Sequence, residues 1–414
     1  MTSNPECHPH VAIACGGTGG HLFPGIAVGS EVLTRGGRVT LFVSEKEVDR
    51  QAARSVRDMA IVALPSVGLV RGGLFAFVRG LLRSRSQARA RFRVDAPQLV
   101  LAMGGFTSAG PVLASRAVGA ACFLHDSNTI PGRANRWLEH FADEAFVAFP
   151  EAQARFKIPS QVTGTPVRHE FQSVNPVRAR EALGLRPNDP VLLIMGGSQG
   201  AAGINRLALE ALPALVERFP LLQFVHLTGA ADLDVVQSTY YRLGVKALVQ
   251  VFCAEMHHAL GAATLAISRA GGSSLAELAT TRTPAVLVPF PAAVDQHQKF
   301  NAAAMTRSGA AIAVDQSNVS GAEVGSMLIE LLSHPAKLAA LRERLSNWQP
   351  PAAAAHIVDA MFARLPVPRP HPQPLSHPMG EGDRRPREGG PTSPIPRATK
   401  PSPSPFNPLS SLAP

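Results

Sequence analysis

The 414-residue sequence is short of several features, and each shortage excludes a class of protein. Its four cysteines include no CxxC pair and no zinc-like Cys/His spacing, which argues against a disulfide scaffold and a metal knuckle. No uninterrupted run of about 18 apolar residues is present, and the N-terminus lacks the basic start and apolar run of a signal peptide. The sequence therefore predicts a protein of a reducing cytoplasm without a membrane span.

Tyrosine and tryptophan are also scarce, at two residues each, while Lys and Arg number 40 against 30 Asp and Glu. The resulting charge of +10 suggests an anionic partner, which could be nucleic acid, a lipid surface or a phosphorylated substrate. A nucleic-acid-binding protein would need aromatic or basic readout elements, which this composition does not favour, so we expect no nucleic-acid partner. With 45% hydrophobic residues, the chain can bury a large core.

Short apolar runs alternate with amphipathic stretches, which is typical of strands and crossover helices in doubly wound parallel sheets. We predict two sets of strands, at 10–15, 38–43, 60–64, 98–103, 121–124 and 145–149, and at 191–195, 223–227, 247–252, 265–267, 285–288 and 311–314. Each set is the size of one nucleotide-binding domain. The fold class is therefore predicted to be α/β, with two doubly wound domains that face one cleft.

The predicted domain boundaries follow from these sets. The first domain covers residues 8–165 and the second 166–348, with a linker at 168–189, which contains Pro176 and Pro187 and is followed by Pro190. We expect a final helix within 349–365 to pack back on the first domain. Residues 366–414 contain 15 prolines and no periodic apolar pattern, so we predict that they are disordered.

Four glycine-rich loops follow predicted strands: GGTGGHLFP at 16–24, GGFTSAGP at 104–111, GGSQGAAGIN at 196–205 and SRAGGSSLAE at 268–277. At the carboxyl ends of parallel strands, glycines let the backbone amides of a helix N-terminus approach a phosphate. Any single loop could instead be a tight turn that serves packing. Four loops at the same topological position favour a cleft that binds phosphorylated groups.

Two common nucleotide-binding motifs are missing. Neither GxxxxGK[ST] nor a strict GxGxxG followed by an acid about 20 residues later is present, so P-loop ATPase and Rossmann dehydrogenase are disfavoured. Asp232 and Asp234 could form a metal-binding D-x-D pair. We do not favour that interpretation, because helix N-termini can already balance the phosphate charge.

Seven motifs in a fixed order carry a specific resemblance: GGTGGH, GGFTSAGP, HDSN at 125–128, TGTPVR at 163–168, GGSQGA, GGSSLAEL at 271–278 and PFPAAVDQHQ at 289–298. With these motifs the chain resembles the MurG family, the UDP-N-acetylglucosamine transferases that complete the peptidoglycan precursor lipid II. The resemblance covers about residues 8–365. It implies a GT-B fold, with the nucleotide sugar on the second domain and the lipid-linked acceptor on the first.

The resemblance implies a set of donor-site residues. Ser198 and the amides of its loop would hold the phosphates of UDP-N-acetylglucosamine, with Arg168 beside them. Glu277 would accept hydrogen bonds from the ribose, and backbone groups beside Cys253 would bind the uracil. The remaining donor residues are those near the sugar, Asn128, His297 and Gln298, and those in the loops, Thr18, Gly19, Gly20 and Ser274.

On the acceptor side the resemblance implies contacts from Gly104, Gly105, Thr107, Ser108 and His125. His21 is the predicted catalytic base, because an imidazole can take a proton from a sugar hydroxyl near neutral pH. Asp126 and Glu277 are alternative bases. We expect no cofactor and no protein-bound metal, because backbone amides, Ser198 and Arg168 would stabilise the departing UDP.

The implied reaction is inverting transfer of N-acetylglucosamine to the C4 hydroxyl of the muramyl sugar in undecaprenyl-pyrophosphoryl-MurNAc-pentapeptide, lipid I. A GT-B transferase for another glycolipid or natural product is the alternative. Several positions depart from the commonest family pattern: HDSN replaces HEQN, and Thr165, Ser274 and Cys253 replace Asn, Thr and Ile. The changes are small, and they bear on affinity more than on the reaction.

Residues 67–94 contain seven arginines and no acid. Apolar side chains recur there at helical spacing, Leu74, Phe77, Val78 and Leu81, flanked by Phe75 and Leu82. We predict an interfacial helix in which Leu74, Phe75 and Leu82 enter the headgroup region while Arg79 and Arg83 attract anionic lipid. A core-packed helix with a solvated basic face is the alternative. The protein is therefore expected at the cytoplasmic face of the membrane as a peripheral protein, with lipid I as a partner and other wall-synthesis proteins as further candidates.

Overall fold

The computed structural model describes residues 8–17, 19–46, 56, 58–65, 73–197, 202–348, 350 and 352–365. The strands and helices of the first domain are β1 His10–Ala14, α1 Gly19–Thr34, β2 Arg38–Ser44, β3 Ala60–Leu64, α2 Leu74–Val94, β4 Leu99–Ala102, α3 Ala109–Ser115, β5 Ala121–Asp126, α4 Arg133–Leu138, β6 Glu144–Val147, α5 Pro150–Gln153 and β7 Ser160–Val162.

The remaining elements, apart from short 3₁₀ turns, form the second domain and a C-terminal helix. They are α6 Pro176–Ala182, β8 Val191–Met195, α7 Ala202–Arg218, β9 Gln223–Leu227, α8 Leu233–Leu243, β10 Ala247–Gln250, α9 Met256–Ala262, β11 Leu265–Ser268, α10 Gly272–Thr281, β12 Ala285–Leu287, α11 His297–Arg307, β13 Ile312–Ala313, α12 Gly321–Ser333, α13 Pro335–Ser346 and α14 Ala353–Phe362.

The two sheets have the same winding. The first has the order β3-β2-β1-β4-β5-β6-β7 and the second β10-β9-β8-β11-β12-β13, and all of their strand pairs are parallel. In each sheet the strand order reverses beside the first strand, between β1 and β4 and between β8 and β11. These switch points are where doubly wound sheets bind ligands, at the carboxyl ends of the strands.

The central strands have continuous apolar sequences because both of their faces are buried. Every residue of β1, with sequence HVAIA, and of β8, with sequence VLLIM, is buried. Helices cover both faces of each sheet, so alternation of apolar and polar residues is not required. Ile13 and Leu101 lie in one apolar cluster of the first domain, while Ile194 and Ile267 lie in one of the second.

Three sequence-based boundaries need correction. Strand β10 ends at Gln250 rather than at 252, and Phe252 is exposed. Strand β7 was not predicted, because it is a three-residue edge strand without a buried apolar pattern. The predicted linker contains helix α6, whose first turn is capped by the Asn175 side chain, which accepts hydrogen bonds from Val177 N at 3.0 Å and Arg178 N at 3.1 Å. Pro176 therefore starts a helix, where its missing N–H costs nothing.

Helix α14 packs on the first domain. Ile357 and Met361 are fully buried in the same cluster as Val11 of β1, and Arg35, just after α1, bonds the Asp359 carboxylate and Ala355 O. The predictions for residues 366–414 concern residues outside the described ranges. Within the described ranges, no helix has the length and apolar character that a membrane span requires.

Candidate active site

The carboxyl ends of the two sheets come together at the N-termini of α1 and α10. The Ser273 hydroxyl, at the start of α10, donates to Gly20 O at 2.8 Å. A Cβ added to Gly272 would lie 2.1 Å from Ser127 O of the loop after β5, so only glycine permits this approach between the domains. The loops at 16–24 and 268–277, both predicted to bind ligands, therefore meet at one cleft.

Asn301 of α11 bridges the two domains at this cleft and is fully buried. Its Oδ1 accepts hydrogen bonds from Thr129 N at 2.9 Å and Thr129 Oγ1 at 3.1 Å. Its Nδ2 donates to Asn128 Oδ1 at 3.0 Å and to Ala270 O at 3.1 Å. The side chain of the predicted sugar-binding residue Asn128 is thus held by the second domain. Asn301 was not predicted, although it lies one helical turn after Gln298 and on the same face of α11.

On the first domain, the His21 ring lies against two glycines of the loop after β4. Gly104 has φ 104° and Gly105 has φ 73°, which are conformations that glycine adopts most readily. A Cβ on Gly104 would lie 2.9 Å from His21 Cε1, and one on Gly105 would lie 3.3 Å from His21 Cδ2. The absence of a side chain at these two glycines therefore makes room for the imidazole ring of His21. The sequence predicted a different role for them, contact with the acceptor.

The next two polar residues of that loop turn inward. Thr107 is 2% exposed and packs beside Gly16, while Ser108 is fully buried. The Ser108 hydroxyl donates within the protein, with Gly104 O at 2.8 Å and Ala14 O at 3.1 Å. The predicted acceptor contact is corrected for the Ser108 side chain, whose hydroxyl is used inside the protein, while the Thr107 side chain is buried beside Gly16.

The HDSN motif is also an internal scaffold. His125 is fully buried with Nε2 3.1 Å from Gly164 O, and burial lowers its pKa to about 4. Its side chain is therefore a neutral core group and does not reach an acceptor, contrary to the sequence prediction.

Asp126 accepts four hydrogen bonds, from Asn128 N at 3.0 Å, Asn128 Nδ2 at 3.3 Å, Gly132 N at 2.8 Å and Asn135 Nδ2 at 2.9 Å. A carboxylate saturated in this way is a poor candidate for the base. Asn135 was not predicted either; it also donates to His125 O at 2.8 Å and so fixes the motif.

On the second domain, two side chains predicted to bind the nucleotide have polar atoms that bond to no described residue. The half-buried Glu277 carboxylate receives no hydrogen bond from a described residue, and burial raises its pKa to about 7, although Arg168 acts in the opposite direction. The Arg168 guanidinium lies 4.5 Å from the Phe23 ring centroid and 5.1 Å from that of Phe171. Its buried Nε has no hydrogen-bond partner among the described residues. An anion with hydroxyl groups would satisfy both side chains.

The segment before α11 supplies two further polar groups. His297 Nδ1 lies 2.6 Å from Val294 O, so Nδ1 carries the proton and Nε2 is left to accept a hydrogen bond. Gln298 Oε1 accepts from Phe290 N at 2.9 Å and Ala270 N at 3.3 Å. Gln298 therefore joins the loops after β11 and β12, and its Nε2 remains able to donate to a ligand.

Of the remaining residues predicted to bind the donor, four lie in the described part of the chain and two do not. Gly19 and Gly20 begin α1, and Ser274 lies half-buried in the first turn of α10, whose N-terminus has no side-chain cap. Cys253 is buried just beyond β10, and burial raises its pKa. Thr18 and Ser198 lie outside the described residues.

The D-x-D alternative finds no support in the geometry. Asp232 Oδ2 accepts a hydrogen bond from Asn205 Nδ2 at 2.7 Å, while Asp234 is exposed in the first turn of α8. The described ranges contain no group of three or more His, Cys, Asp or Glu side chains that could hold a metal ion.

Helix α2 places its small and aromatic residues inward, since Ser84, Ala88 and Phe92 are buried. Phe77 packs edge-on against Phe106 at 5.2 Å between centroids, and Leu81 is half-buried. Phe77 and Leu81, two of the four apolar residues at helical spacing, therefore pack toward the protein. The exposed apolar face consists of Phe75, Val78 and Leu82, which with Arg79, Arg83 and Ser86 line a shallow groove of about 400 Å³. The side chain of Leu74 lies outside the described part.

Two doubly wound parallel domains that face one cleft are the architecture of the GT-B fold. The chain matches the glycosyltransferase family 28 N-terminal domain over residues 11–147 and the C-terminal domain of the same family over residues 191–355. The chain belongs to glycosyltransferase family 28. The predictions of the GT-B fold and of the MurG family are confirmed.

Three similar proteins extend across both domains. A protein of Citrifermentans bemidjiense is 35% identical over 85% of this chain and 99% of its own. One from Prochlorococcus marinus is 39% identical over 78% of this chain and 87% of its own. Both bear the name UDP-N-acetylglucosamine–N-acetylmuramyl-(pentapeptide) pyrophosphoryl-undecaprenol N-acetylglucosamine transferase. The crystal structure of Acinetobacter baumannii MurG is 27% identical, with a TM-score of 0.66, and covers 86% of this chain and 99% of that one.

Proposed function

We propose that the protein transfers N-acetylglucosamine from UDP-N-acetylglucosamine to the C4 hydroxyl of the muramyl sugar in lipid I, which forms lipid II for peptidoglycan synthesis. The observation that carries this proposal is the similarity, through both domains, to transferases named for that reaction. The uncommitted polar groups on the second domain supply the matching chemistry.

The donor would lie across the start of α10. The Glu277 carboxylate can accept hydrogen bonds from both ribose hydroxyls, because no described residue uses its oxygens. Arg168, the uncapped N-terminus of α10 and the loop of Ser198 would bind the phosphates. Backbone groups beside Cys253 would bind the uracil. His297 Nε2 and the amides of Gln298 and Asn128 would orient the sugar.

His21 is the proposed base. The C4 hydroxyl would attack C1 of the donor sugar from the face opposite UDP, while His21 takes its proton and the bond between C1 and the UDP oxygen breaks. Packing against Gly104 and Gly105 holds the imidazole in one place, which favours a productive geometry. Arg168 and the amides would stabilise the charge that develops on the departing UDP.

The exposed face of α2 is the proposed membrane contact. Phe75 is 82% exposed and Leu82 57%, and Arg79 and Arg83 stand beside them on a helix without an acidic residue. Near an anionic bilayer each cation contributes roughly 1 kcal/mol, while the apolar side chains enter the headgroup region. The protein would then act as a peripheral protein at the cytoplasmic face, where the lipid-linked sugar is presented. Other wall-synthesis proteins are further proposed partners.

The reaction is tested by transfer of labelled sugar from UDP-N-acetylglucosamine to a short-chain lipid I analogue. We expect a labelled disaccharide product with inverted configuration at C1. A panel of glycolipid and natural-product acceptors serves as the comparison. Transfer to another acceptor without transfer to the lipid I analogue would overturn the proposal in favour of a different GT-B transferase.

The membrane contact is tested with a variant that carries Phe75→Ser, Leu82→Ser, Arg79→Glu and Arg83→Glu. We expect its binding to vesicles of anionic lipid to fall at least about tenfold, because it loses apolar area and reverses two charges. Transfer to a soluble acceptor should persist. The matched control is Tyr241→Ser with Arg242→Glu, an exposed pair on α8 of the second domain. Equal vesicle binding by wild type and the α2 variant would refute the assignment.

A further inference from the structure

The loop between β12 and α11 has an unusual backbone. Asp295 has φ 51° and Gln296 has φ 52°, so two consecutive residues with side chains adopt the left-handed region. This region is unfavourable for residues that carry a Cβ, and it persists where surrounding contacts impose it. The turn matters because His297 and Gln298 follow it directly.

The Asp295 side chain in this turn is bonded from the other domain, while the loop's own backbone contributes a hydrogen bond from Gln296 N to Ala293 O at 2.9 Å. Arg133 Nη2 lies 2.8 Å from Asp295 Oδ1, and Arg136 Nη2 lies 2.8 Å from Asp295 Oδ2. Arg133 Nε donates a longer hydrogen bond of 3.4 Å to Oδ2. Both arginines project from α4, three residues apart and therefore on one face. Every hydrogen bond that the Asp295 side chain makes to a described residue crosses between the domains.

The Asp295 carboxylate stays ionised near neutral pH. Hydrogen bonding to Arg133, with a further contribution from Arg136, holds the pKa of Asp295 below its usual value. The Asp295 side chain is 28% exposed, which leaves the pair sensitive to salt.

A second pair of the same kind provides a comparison. Arg307 of α11 lies 2.7 Å from Glu151 of α5 and also crosses between the domains. It stands at the opposite end of α11 from His297 and does not touch the turn. An effect confined to Asp295 would therefore report on the turn rather than on domain contact in general.

We propose that Asp295 is a positioning residue for the donor sugar. Its pairing with Arg133 and Arg136 sets the left-handed turn that presents His297 and Gln298, so the sugar site is complete only when the two domains meet. This inference rests on the proposed function, since it takes UDP-N-acetylglucosamine as the donor.

The test is steady-state kinetics of Asp295→Asn. We expect the KM for UDP-N-acetylglucosamine to rise about three- to tenfold, with kcat within about twofold of wild type. Raising the salt to about 0.5 M should raise the wild-type KM by a larger factor than that of the variant, because only the wild type has the Asp295 ion pairs to lose. Asp295→Glu keeps the charge and should recover most of the affinity. The matched control Glu151→Gln, which breaks the other pair, should change KM less than about twofold.

A second variant covers the case in which Asp295→Asn does not fold. Arg133→Gln with Arg136→Gln should give the same rise in KM, and combining it with Asp295→Asn should add nothing. An unchanged KM in the folded variants, or an equal rise in Glu151→Gln, overturns this inference while wild-type transfer stands. Absence of transfer by the wild type instead overturns the proposed function.

Discussion

The two domains share one strand order but use their glycine loops differently. In the first domain the loops are occupied by the protein itself, since His21 lies against Gly104 and Gly105, and Thr107 packs beside Gly16. In the second domain α10 begins without a side-chain cap, and the Glu277 carboxylate receives no hydrogen bond from a described residue. The same topological position thus gives a rigid support for the proposed base His21 in one domain and an open polar site in the other.

The carboxylates on the two sides show the energetic consequence. Asp126 accepts four hydrogen bonds and stabilises the loop around it. Glu277 is half-buried without such partners among the residues that the structure describes, and burial raises its pKa to about 7. A perturbed pKa in a cleft is typical of a functional site. Polar groups there have no partner within the protein until a ligand binds, which lowers the stability of the free protein.

The largest expected effect is on kcat, and it distinguishes the role of the first domain from donor binding by the second. His21→Ala should lower kcat by roughly 10² to 10⁴, because general-base help is worth that much, while the KM for the donor changes little. The measurement is transfer to a short-chain lipid I analogue at varied donor concentration and pH. Near-normal turnover with an unchanged pH profile would move the base role to another residue. Asp126 is already saturated with hydrogen bonds, so Glu277 would then be the candidate.

Glu277→Gln should act on donor affinity instead. Hydrogen bonds to a charged group contribute about 1.5 to 3 kcal/mol each, so we expect the donor KM to rise roughly ten- to a hundredfold. Because the wild-type pKa is about 7, donor affinity should fall as the pH drops below that value, whereas the variant should show no such dependence. Calorimetric titration with UDP-N-acetylglucosamine measures both. Unchanged affinity would remove Glu277 from the donor site.

The same variant should be more stable than wild type above neutral pH. A folded-state pKa raised from 4.5 to about 7 means that the stability contributed by Glu277 is fully present below 4.5 and is lost as pH rises through 7. Glutamine stays neutral, so its melting temperature should exceed that of wild type at about pH 8 and match it near pH 4. A lower melting temperature of the variant at about pH 8 would show that the carboxylate has a structural partner.

The fold was predictable because many of its strands, such as β1, β4 and β8, are short buried apolar runs. The exceptions have local causes: β7 is three residues long without a buried core pattern, and Pro176, inside the predicted linker, starts a helix. The site was predicted less completely. Ser108 and His125 are polar residues in ligand-binding motifs, but their burial depends on packing that residue type does not reveal. Asp295 meets partners 159 and 162 residues away, and local sequence carries no sign of that pairing.

The smallest expected effect tests whether the first domain's glycines serve the base itself. Gly104 and Gly119 both have positive φ, at 104° and 69°, so alanine at either position should cost roughly 1 to 2 kcal/mol of stability. Their surroundings differ, because a Cβ on Gly104 would lie 2.9 Å from His21 Cε1, whereas one on Gly119 would meet nothing within 4 Å. Gly104→Ala should therefore displace the imidazole and lower kcat about tenfold at unchanged donor KM, since small misplacements of a catalytic group are costly. Gly119→Ala should lower only the melting temperature. Equal turnover in the two variants would mean that Gly104 does not position His21. The glycines of the first domain would then serve packing alone.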